Sequence, residues 1–172
     1  MGLHFSAEEF KNRKDKVIKL LKQEKLDAIL MFRQESMYWL TGYDTFGYVF
    51  FQVLILDQKG NIILLTRLPD LRQAQNTSNI KDIRIWVDKD HSNPTNDLKI
   101  ILDELNLKGK TLGVEYDAYG LTGQNALRLN KSLENDFALI DKSFLISKLR
   151  VVKSNEEIVY VRKAAELADM AL

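Results

Sequence analysis

The apolar positions near the N-terminus recur at helical spacing. Ser6 and Glu9 have the spacing of a capping box, a pattern that opens many helices. The apolar residues after them return every three or four positions, with lysines between them, as far as Lys25. The pattern predicts an amphipathic helix over residues 7–25.

A similar pattern begins near the C-terminus. Ser154 and Glu157 repeat the capping-box spacing, and apolar residues follow at helical intervals as far as Leu172. No glycine or proline marks an end to this helix. We therefore expect one domain over residues 1–153. We expect residues 154–172 to begin a linker helix that leads into a further domain of a longer protein.

Short apolar runs between these two helices predict strands, and glycine, proline and asparagine mark the turns between them. Residues 48–66 have the pattern of a hairpin with its turn at 57–61. One hairpin among alternating helices and strands predicts an α/β domain with a mixed β-sheet flanked by helices. The predicted strands are 27–32, 48–56, 62–66, 83–87, 111–115 and 137–140, and the predicted helical segments between them are 34–40, 69–75, 96–105 and 122–133.

Composition agrees with one globular domain. The 172 residues are 45% hydrophobic and 28% charged, with a formal net charge of +1. The balanced charge gives no reason to expect a nucleic-acid partner, and no apolar run approaches the ~20 residues of a membrane helix. The lack of cysteine excludes disulfides and thiolate metal sites, and it suits a reducing compartment. We therefore expect a soluble, cytoplasmic protein without a membrane partner.

The sequence carries no motif for catalysis or metal binding. The two histidines, His4 and His91, belong to no metal-ligand spacing, and there is no nucleophile elbow and no phosphate-binding glycine loop. Acidic residues near strand ends could bind Mg²⁺ or Mn²⁺ and cut nucleic acid, or they could cap helices and populate turns, which we favour. These residues are Asp57, Asp88, Glu115, Asp117 and Asp141. We expect no catalytic residue, no metal ligand and no cofactor in this chain.

Residues 38–51 form an unusually aromatic segment. Seven of these fourteen residues are aromatic, out of sixteen in the whole chain. Core packing explains some of them, but it does not readily explain aromatic side chains around Gly42 and Gly47 in a predicted loop. Plain packing and a substrate-binding or interface role are therefore equal alternatives. The candidate residues for the substrate-binding or interface role are Tyr43, Asp44, Phe46 and Tyr48.

Two segments resemble the creatinase/prolidase family, the peptidase M24 family that includes Xaa-Pro dipeptidases. Residues 38–43, Tyr-Trp-Leu-Thr-Gly-Tyr, are similar to a turn of that family's N-terminal domain. Residues 149–164 are similar to the family's junction with its catalytic domain, and the order of elements between the two segments also fits. Two further segments, 115–122 and 66–73, resemble the ectoine-hydrolase-like branch of the family.

The resemblance implies a fold, a second domain and partners. It implies a ribonuclease-H-like topology and a C-terminal pita-bread domain that, in most members, holds a pair of divalent metal ions such as Mn, Co or Zn. It also implies that this domain helps to build a homodimer and closes over a neighbouring subunit's active site. In metal-free creatinase, arginine and aromatic side chains of this domain lie near the substrate carboxylate. The equivalent loop here, about 43–51, has no arginine, so Arg67 and Arg72 are the candidates for that role.

Two hypotheses about function follow from these expectations. In the first, the chain is the non-catalytic N-terminal domain of a C–N hydrolase and is inactive alone. The whole enzyme would be an Xaa-Pro dipeptidase or aminopeptidase, a creatinase or an ectoine-hydrolase-like enzyme, and the partners would be its own catalytic domain and a second copy. In the second, the chain is a stand-alone small-molecule-binding or interaction module with the same fold. A nuclease built on the acidic strand ends is a third alternative.

Overall fold

The protein is built around one six-stranded sheet, in a computed structural model that describes residues 3–171. Met1, Gly2 and Leu172, the last apolar position of the predicted C-terminal helix, lie outside the described residues. The strands are β1 (Ala28–Met31), β2 (Val53–Asp57), β3 (Ile62–Arg67), β4 (Asp82–Trp86), β5 (Thr111–Val114) and β6 (Ala138–Asp141).

The sheet is mixed, as the sequence predicts. Its strand order is β4-β3-β2-β1-β5-β6. The hairpin of β2 and β3 pairs in antiparallel fashion and β2 also runs antiparallel to β1, whereas the three remaining pairs are parallel. Parallel neighbours need crossover connections, and helices supply them on both faces of the sheet.

Helices cover the two faces and make a three-layer domain. One face holds α1, α2, α3 and α6, and the other holds α4 and α5. No helix within residues 3–171 is long and apolar enough to cross a membrane. The helices are α1 (Ala7–Gln23), α2 (Gln34–Thr41), α3 (Leu71–Thr77, after a 3₁₀ turn at Leu68–Asp70), α4 (Pro94–Glu104), α5 (Gly123–Leu133), α6 (Leu145–Val151) and α7 (Asn155–Ala171).

The central strands are apolar throughout because both of their faces are buried. In β1, Ala28 and Leu30 point into the core beneath α4 and α5, while Ile29 and Met31 point into the core beneath α1 and α2. All residues of β1 and β2 are buried. This explains why those strands read as continuous apolar runs rather than as alternating ones.

Both predicted capping boxes lie at the start of a helix, but only the one at α7 makes both reciprocal hydrogen bonds, because the Ser6 N–H donates to Glu156 Oε2 instead of Glu9. Ser6 Oγ accepts a hydrogen bond of 3.0 Å from the backbone N–H of Glu9 at the start of α1. At the start of α7, Ser154 Oγ accepts from the N–H of Glu157, and the Glu157 carboxylate accepts in return from the N–H of Ser154.

The structure corrects two predicted elements. The strand predicted at 48–56 begins only at Val53, because residues 47–50 form a turn in which the Phe50 N–H donates to the carbonyl of Gly47 at 2.9 Å. The helix α6 was not predicted. It spans only seven residues and has no side-chain cap, so neither apolar periodicity nor a capping motif predicts it from the sequence.

Candidate functional site

The aromatic loop, residues 42–52 between α2 and β2, exposes a cluster of apolar side chains. Phe46 is 89% exposed, and Tyr48, Val49 and Phe50 are between 42% and 49% exposed. Packing within the domain does not account for this cluster, and exposed apolar patches often mark ligand or protein interaction sites. Phe46 and Tyr48 therefore lie on the surface, where a binding role requires them.

Tyr43 is buried, contrary to the surface position expected for it. Its side chain is 0% exposed and belongs to the same core cluster as Met37 and Leu54. Its hydroxyl donates a 2.6 Å hydrogen bond to Gln52 Oε1, and burial raises the pKa of the phenol. Tyr43 anchors the aromatic loop from beneath and does not form part of its outer surface.

Polar contacts at the base of the loop hold its backbone in place. Gln52 Nε2 donates to the carbonyl of Gly47 at 2.6 Å, and the N–H of Gly47 donates to Thr45 Oγ1 at 2.9 Å. A Cβ atom at position 47 would lie 2.4 Å from Gln52 Nε2 and 2.5 Å from Asp70 Oδ1, so only glycine fits there. The exposed aromatic side chains therefore extend from a backbone with a defined position.

The two candidate arginines, Arg67 and Arg72, differ in whether their charge is available to a substrate carboxylate. The Arg67 guanidinium stacks on the Phe50 ring at 3.3 Å from its centroid, and Arg67 Nε donates to Asp70 Oδ2 at 3.1 Å. Arg67 is thus largely buried and its charge is paired, which makes it a support for the loop. Arg72 lies exposed on α3 and is the freer cation of the two.

Arg13 is a buried residue of α1 that the sequence interpretation missed. Its Nε donates to Glu9 Oε1 at 2.8 Å, its Nη1 donates to the carbonyl of Trp39 at 2.7 Å, and its Nη2 lies 3.3 Å from Glu157 Oε1. The side chain is 1% exposed, so the three partners replace water around its charge. A signal was present, because Arg13 follows Phe10 by three residues and so lies on the apolar face of the predicted helix.

The Arg13 cluster, formed by Arg13, Glu9, Trp39 and Glu157, joins the start of α7 to the domain. The later turns of α7 make no contact with this cluster. Trp39 Nε1 donates to Glu157 Oε1 at 2.9 Å, and Glu156 accepts hydrogen bonds from the N–H and Oγ of Ser6. No residue of α7 is buried, and several of its apolar side chains are exposed. They are Val159, Tyr160, Val161, Leu167 and Met170.

A cavity of about 310 Å³ lies beside this cluster. Asp44, the remaining candidate of the aromatic loop, contributes to its wall together with Tyr38 and Trp39. Asp44 is exposed, and its N–H donates to Thr77 Oγ1 at 3.1 Å. Its carboxylate is therefore open to a cationic group.

The acidic residues near the strand ends are dispersed into separate structural roles. Asp57 accepts from the N–H groups of Lys59 and Asn61 in the hairpin turn, and Asp141 accepts from the N–H of Ser143. Within residues 3–171, no three histidine, aspartate or glutamate side chains are grouped so that they could hold a metal ion. This arrangement favours the turn-and-cap interpretation over a nuclease centre.

Among the acidic residues within 3–171, Glu115 alone has a strongly raised pKa. It follows β5 and is fully buried, and its Oε2 accepts from the N–H groups of Phe32 and Arg33 at 3.1 and 3.0 Å. Its Oε1 lies 2.6 Å from Ser36 Oγ. Burial outweighs these hydrogen bonds and raises the pKa of Glu115 to about 7. The carboxyl thereby ties β5 to the start of α2.

Comparisons with known proteins place this fold in a family. Residues 13–152 match the sequence model of the creatinase/prolidase N-terminal domain. A hydrolase/peptidase called y4tM from Sinorhizobium fredii, itself uncharacterised, is 30% identical over 97% of this chain and 44% of its own length. An ectoine hydrolase from Halomonas elongata is 25% identical over 97% of this chain and 43% of its own length.

A solved structure gives the same result for the fold. A dipeptidase from Pyrococcus horikoshii superposes with a TM-score of 0.75 over 92% of this chain and 42% of that protein, at 24% identity. The chain thus spans less than half the length of the curated relatives named above. The family match covers most of the chain and confirms the predicted resemblance, so the chain belongs to the creatinase/prolidase N-terminal domain family.

Proposed function

We propose that this chain is the non-catalytic N-terminal domain of a C–N hydrolase whose catalytic domain follows it. Its relatives extend well beyond the matched region, since the chain covers only 44% and 43% of two of them. A second domain in the same protein is the natural partner for the exposed apolar side chains of α7. In this proposal residues 1–153 form the accessory domain, and residues 154–172 begin the linker helix.

The proposed reaction belongs to the part of the enzyme outside this chain. The family resemblance implies a pair of divalent ions, Mn, Co or Zn, and residues 3–171 offer no group of ligands that fits them. Such ions would activate water and polarise the scissile carbonyl in the catalytic domain. The substrate would be a dipeptide with a C-terminal proline, creatine, ectoine or a similarly compact amino-acid derivative. The lack of cysteine in this chain suits an enzyme of the cytoplasm.

The aromatic loop is the part of this chain that we assign to the active site of the complete enzyme. The observation that carries this assignment is the exposure of Phe46, Tyr48 and Phe50 on a loop whose backbone is held by Gln52, while Arg67 stacks on the Phe50 ring. A fixed apolar surface can exclude water from a neighbouring active site, which strengthens the electrostatic interactions of catalysis there. A homodimer would bring this surface to the second subunit, with Asp44 and Arg72 beside it as charged groups for the substrate.

The test compares the 172-residue chain with the protein encoded by the complete reading frame. Both are assayed with Mn²⁺, Co²⁺ or Zn²⁺ against Xaa-Pro dipeptides, creatine and ectoine. We expect turnover by the longer protein alone. A stop codon directly after Leu172 would favour the alternative, a stand-alone binding module. Turnover that follows the 172-residue chain through purification would show that it holds a catalytic site of its own.

A further inference from the structure

The sheet leaves a crevice between two parallel strands. β1 and β5 are adjacent and parallel, but the chain leaves β1 toward α2 on one face and leaves β5 toward α5 on the other. Neighbouring parallel strands whose connections diverge in this way create a binding crevice at their carboxyl ends in many α/β proteins. Here a cavity of about 400 Å³ lies at that position, lined by residues 32–35, 116–120 and Tyr48.

A pair of opposite charges lies in the wall of the crevice. Arg33 Nη2 and Asp117 Oδ2 are 2.5 Å apart. The Arg33 guanidinium also faces the ring of Phe144, 5.3 Å from its centroid, and its Nε is buried without a hydrogen-bond partner in the described part of the chain. The backbone N–H of Asp117 donates to Ser143 Oγ at 3.1 Å, which fixes the backbone there. The Asp117 side chain is 65% exposed.

Tyrosine rings supply the apolar part of the lining. Tyr48, Tyr116 and Tyr119 all contribute, and Tyr119 is 86% exposed. A Cβ atom at Gly120 would lie 2.9 Å from the carbonyl oxygen of Tyr48, so the segment after β5 packs directly against the aromatic loop. Tyrosines offer a flat apolar face together with a hydroxyl group, which suits a small organic ligand.

The chemistry of the crevice does not suit a phosphate group. In phosphate-binding crevices, free N–H groups at the start of a helix hold the anion. Here the Glu115 carboxyl already accepts from the N–H groups of Phe32 and Arg33, which directly precede α2, at 3.1 and 3.0 Å, so a further anion at this position would lie against that carboxyl. Glu35 and Asp117 add acidic side chains to the lining. A ligand with a net negative charge would therefore meet one paired arginine and two acidic groups.

A small zwitterion suits the crevice better. The pair is exposed mainly on its Asp117 side, at 65% against 22% for Arg33, so Asp117 can turn toward a ligand while the guanidinium stays in the crevice wall. The carboxylate of the ligand would pair with Arg33 and its ammonium group with Asp117. Because these two side chains touch each other, the two charges of the ligand must also be close together, as they are in a free α-amino acid.

We propose that the crevice between β1 and β5 binds a free α-amino acid with a large apolar side chain, which packs against Tyr48, Tyr116 and Tyr119. This inference goes beyond the proposed function, because the site belongs to this chain alone. It needs neither the catalytic domain nor a second copy of the protein.

The test is an NMR titration of the ¹⁵N-labelled 172-residue chain with L-phenylalanine. We expect saturable shifts confined to the amides of residues 32–35, 116–120 and their neighbours, with a Kd of about 1 mM or lower. N-acetyl-L-phenylalanine and L-phenylalaninamide, which each lack one charge, should bind about tenfold more weakly, and inorganic phosphate should bind more weakly still.

Matched variants identify the two charges. Asp117→Asn should weaken L-phenylalanine binding about tenfold but leave the affinity for N-acetyl-L-phenylalanine unchanged, because that probe has no ammonium group. Arg33→Gln should weaken L-phenylalanine and N-acetyl-L-phenylalanine alike. Arg84→Gln, which breaks the exposed pair with Asp82 on the edge strand β4, is the control and should change neither affinity.

Several outcomes would overturn this site. They are the lack of saturable shifts at about 10 mM L-phenylalanine, shifts centred elsewhere, equal affinity for the blocked derivatives, or tighter binding of inorganic phosphate alone. If Arg33→Gln fails to fold, the exposed Asp117→Asn still decides the question. The titration measures neither catalysis nor dimerisation. A negative titration would therefore leave the proposed hydrolase function intact, and an inactive full-length protein would leave the proposed amino-acid site intact.

Discussion

Glu115 is the side chain whose chemistry should be most visible in the stability of the protein. Its carboxyl is buried and hydrogen bonded to Phe32, Arg33 and Ser36, and its pKa is raised from 4.5 to about 7. The neutral acid satisfies the same three contacts, since its O–H can donate to Ser36 Oγ while the other oxygen accepts from the two N–H groups.

The sign of the pH dependence follows from this raised pKa. The folded protein holds the Glu115 proton more tightly than the unfolded chain, so the contribution to stability is complete below pH 4.5 and is lost as the pH rises through 7. The loss amounts to about 3 kcal/mol over that interval. We expect urea unfolding midpoints to fall between pH 5 and pH 8.

The matched variant for this prediction is Glu115→Gln. The amide keeps the shape and can make the three hydrogen bonds without a charge, so its stability should vary much less between pH 5 and pH 8. Carboxyls with lowered pKa values, such as those of Asp136 and Asp141, change protonation at more acidic pH and do not disturb the comparison. Parallel pH profiles for the two proteins would contradict the assignment.

At the scale of single elements, the structure divides α7 into an anchored start and a free remainder. Glu156 and Glu157 bind Ser6, Arg13 and Trp39, whereas no residue of α7 is buried. Hydrogen exchange of the 172-residue chain should therefore be slow near residues 158–162 and fast over 166–171, because nothing packs on the final turns.

Two variants separate the anchor from the helix itself. Glu157→Ala should raise exchange over residues 155–162, because it removes the partner of Arg13 and Trp39. Glu166→Ala removes only an exposed pair with Lys163 and should leave that segment unchanged. Protection of residues 166–171 equal to that of β1 would refute the account of α7 in the isolated chain.

The elements themselves were predictable to different degrees, for physical reasons. The helices α1 and α7 carry both periodicity and capping boxes, and β1 and β3 are short apolar runs bounded by polar residues. The segment 48–52 looked like a strand because it is aromatic. Its turn depends on Gln52 bonding back to Gly47, a contact that periodicity cannot reveal.

At the scale of the whole molecule, contacts between distant segments limit what the sequence can predict. Tyr43 and Phe46 are aromatic residues of the same loop, yet Tyr43 lies in the core with its hydroxyl bonded to Gln52, whereas Phe46 is 89% exposed. The crevice requires β1 beside β5, although more than 80 residues separate Arg33 from Asp117 in the sequence. The family and the sheet class could be predicted, whereas this juxtaposition could not.

The central claim is that the aromatic loop of this domain serves the active site of a larger hydrolase. The variant Phe46→Ala tests it, first in the 172-residue chain. Because Phe46 is 89% exposed, the free energy of unfolding should change by no more than about 0.5 kcal/mol. A loss of about 3–5 kcal/mol would instead mark a core residue.

The deciding measurement is kcat/KM of Phe46→Ala in the protein encoded by the complete reading frame, together with its dimer dissociation constant. The control is Leu127→Ala, which removes an exposed apolar side chain from α5, away from the loop. We predict that Phe46→Ala lowers kcat/KM or weakens the dimer about tenfold or more, and that Leu127→Ala does neither. Unchanged kinetics and unchanged dimerisation for Phe46→Ala would contradict the role assigned to the loop.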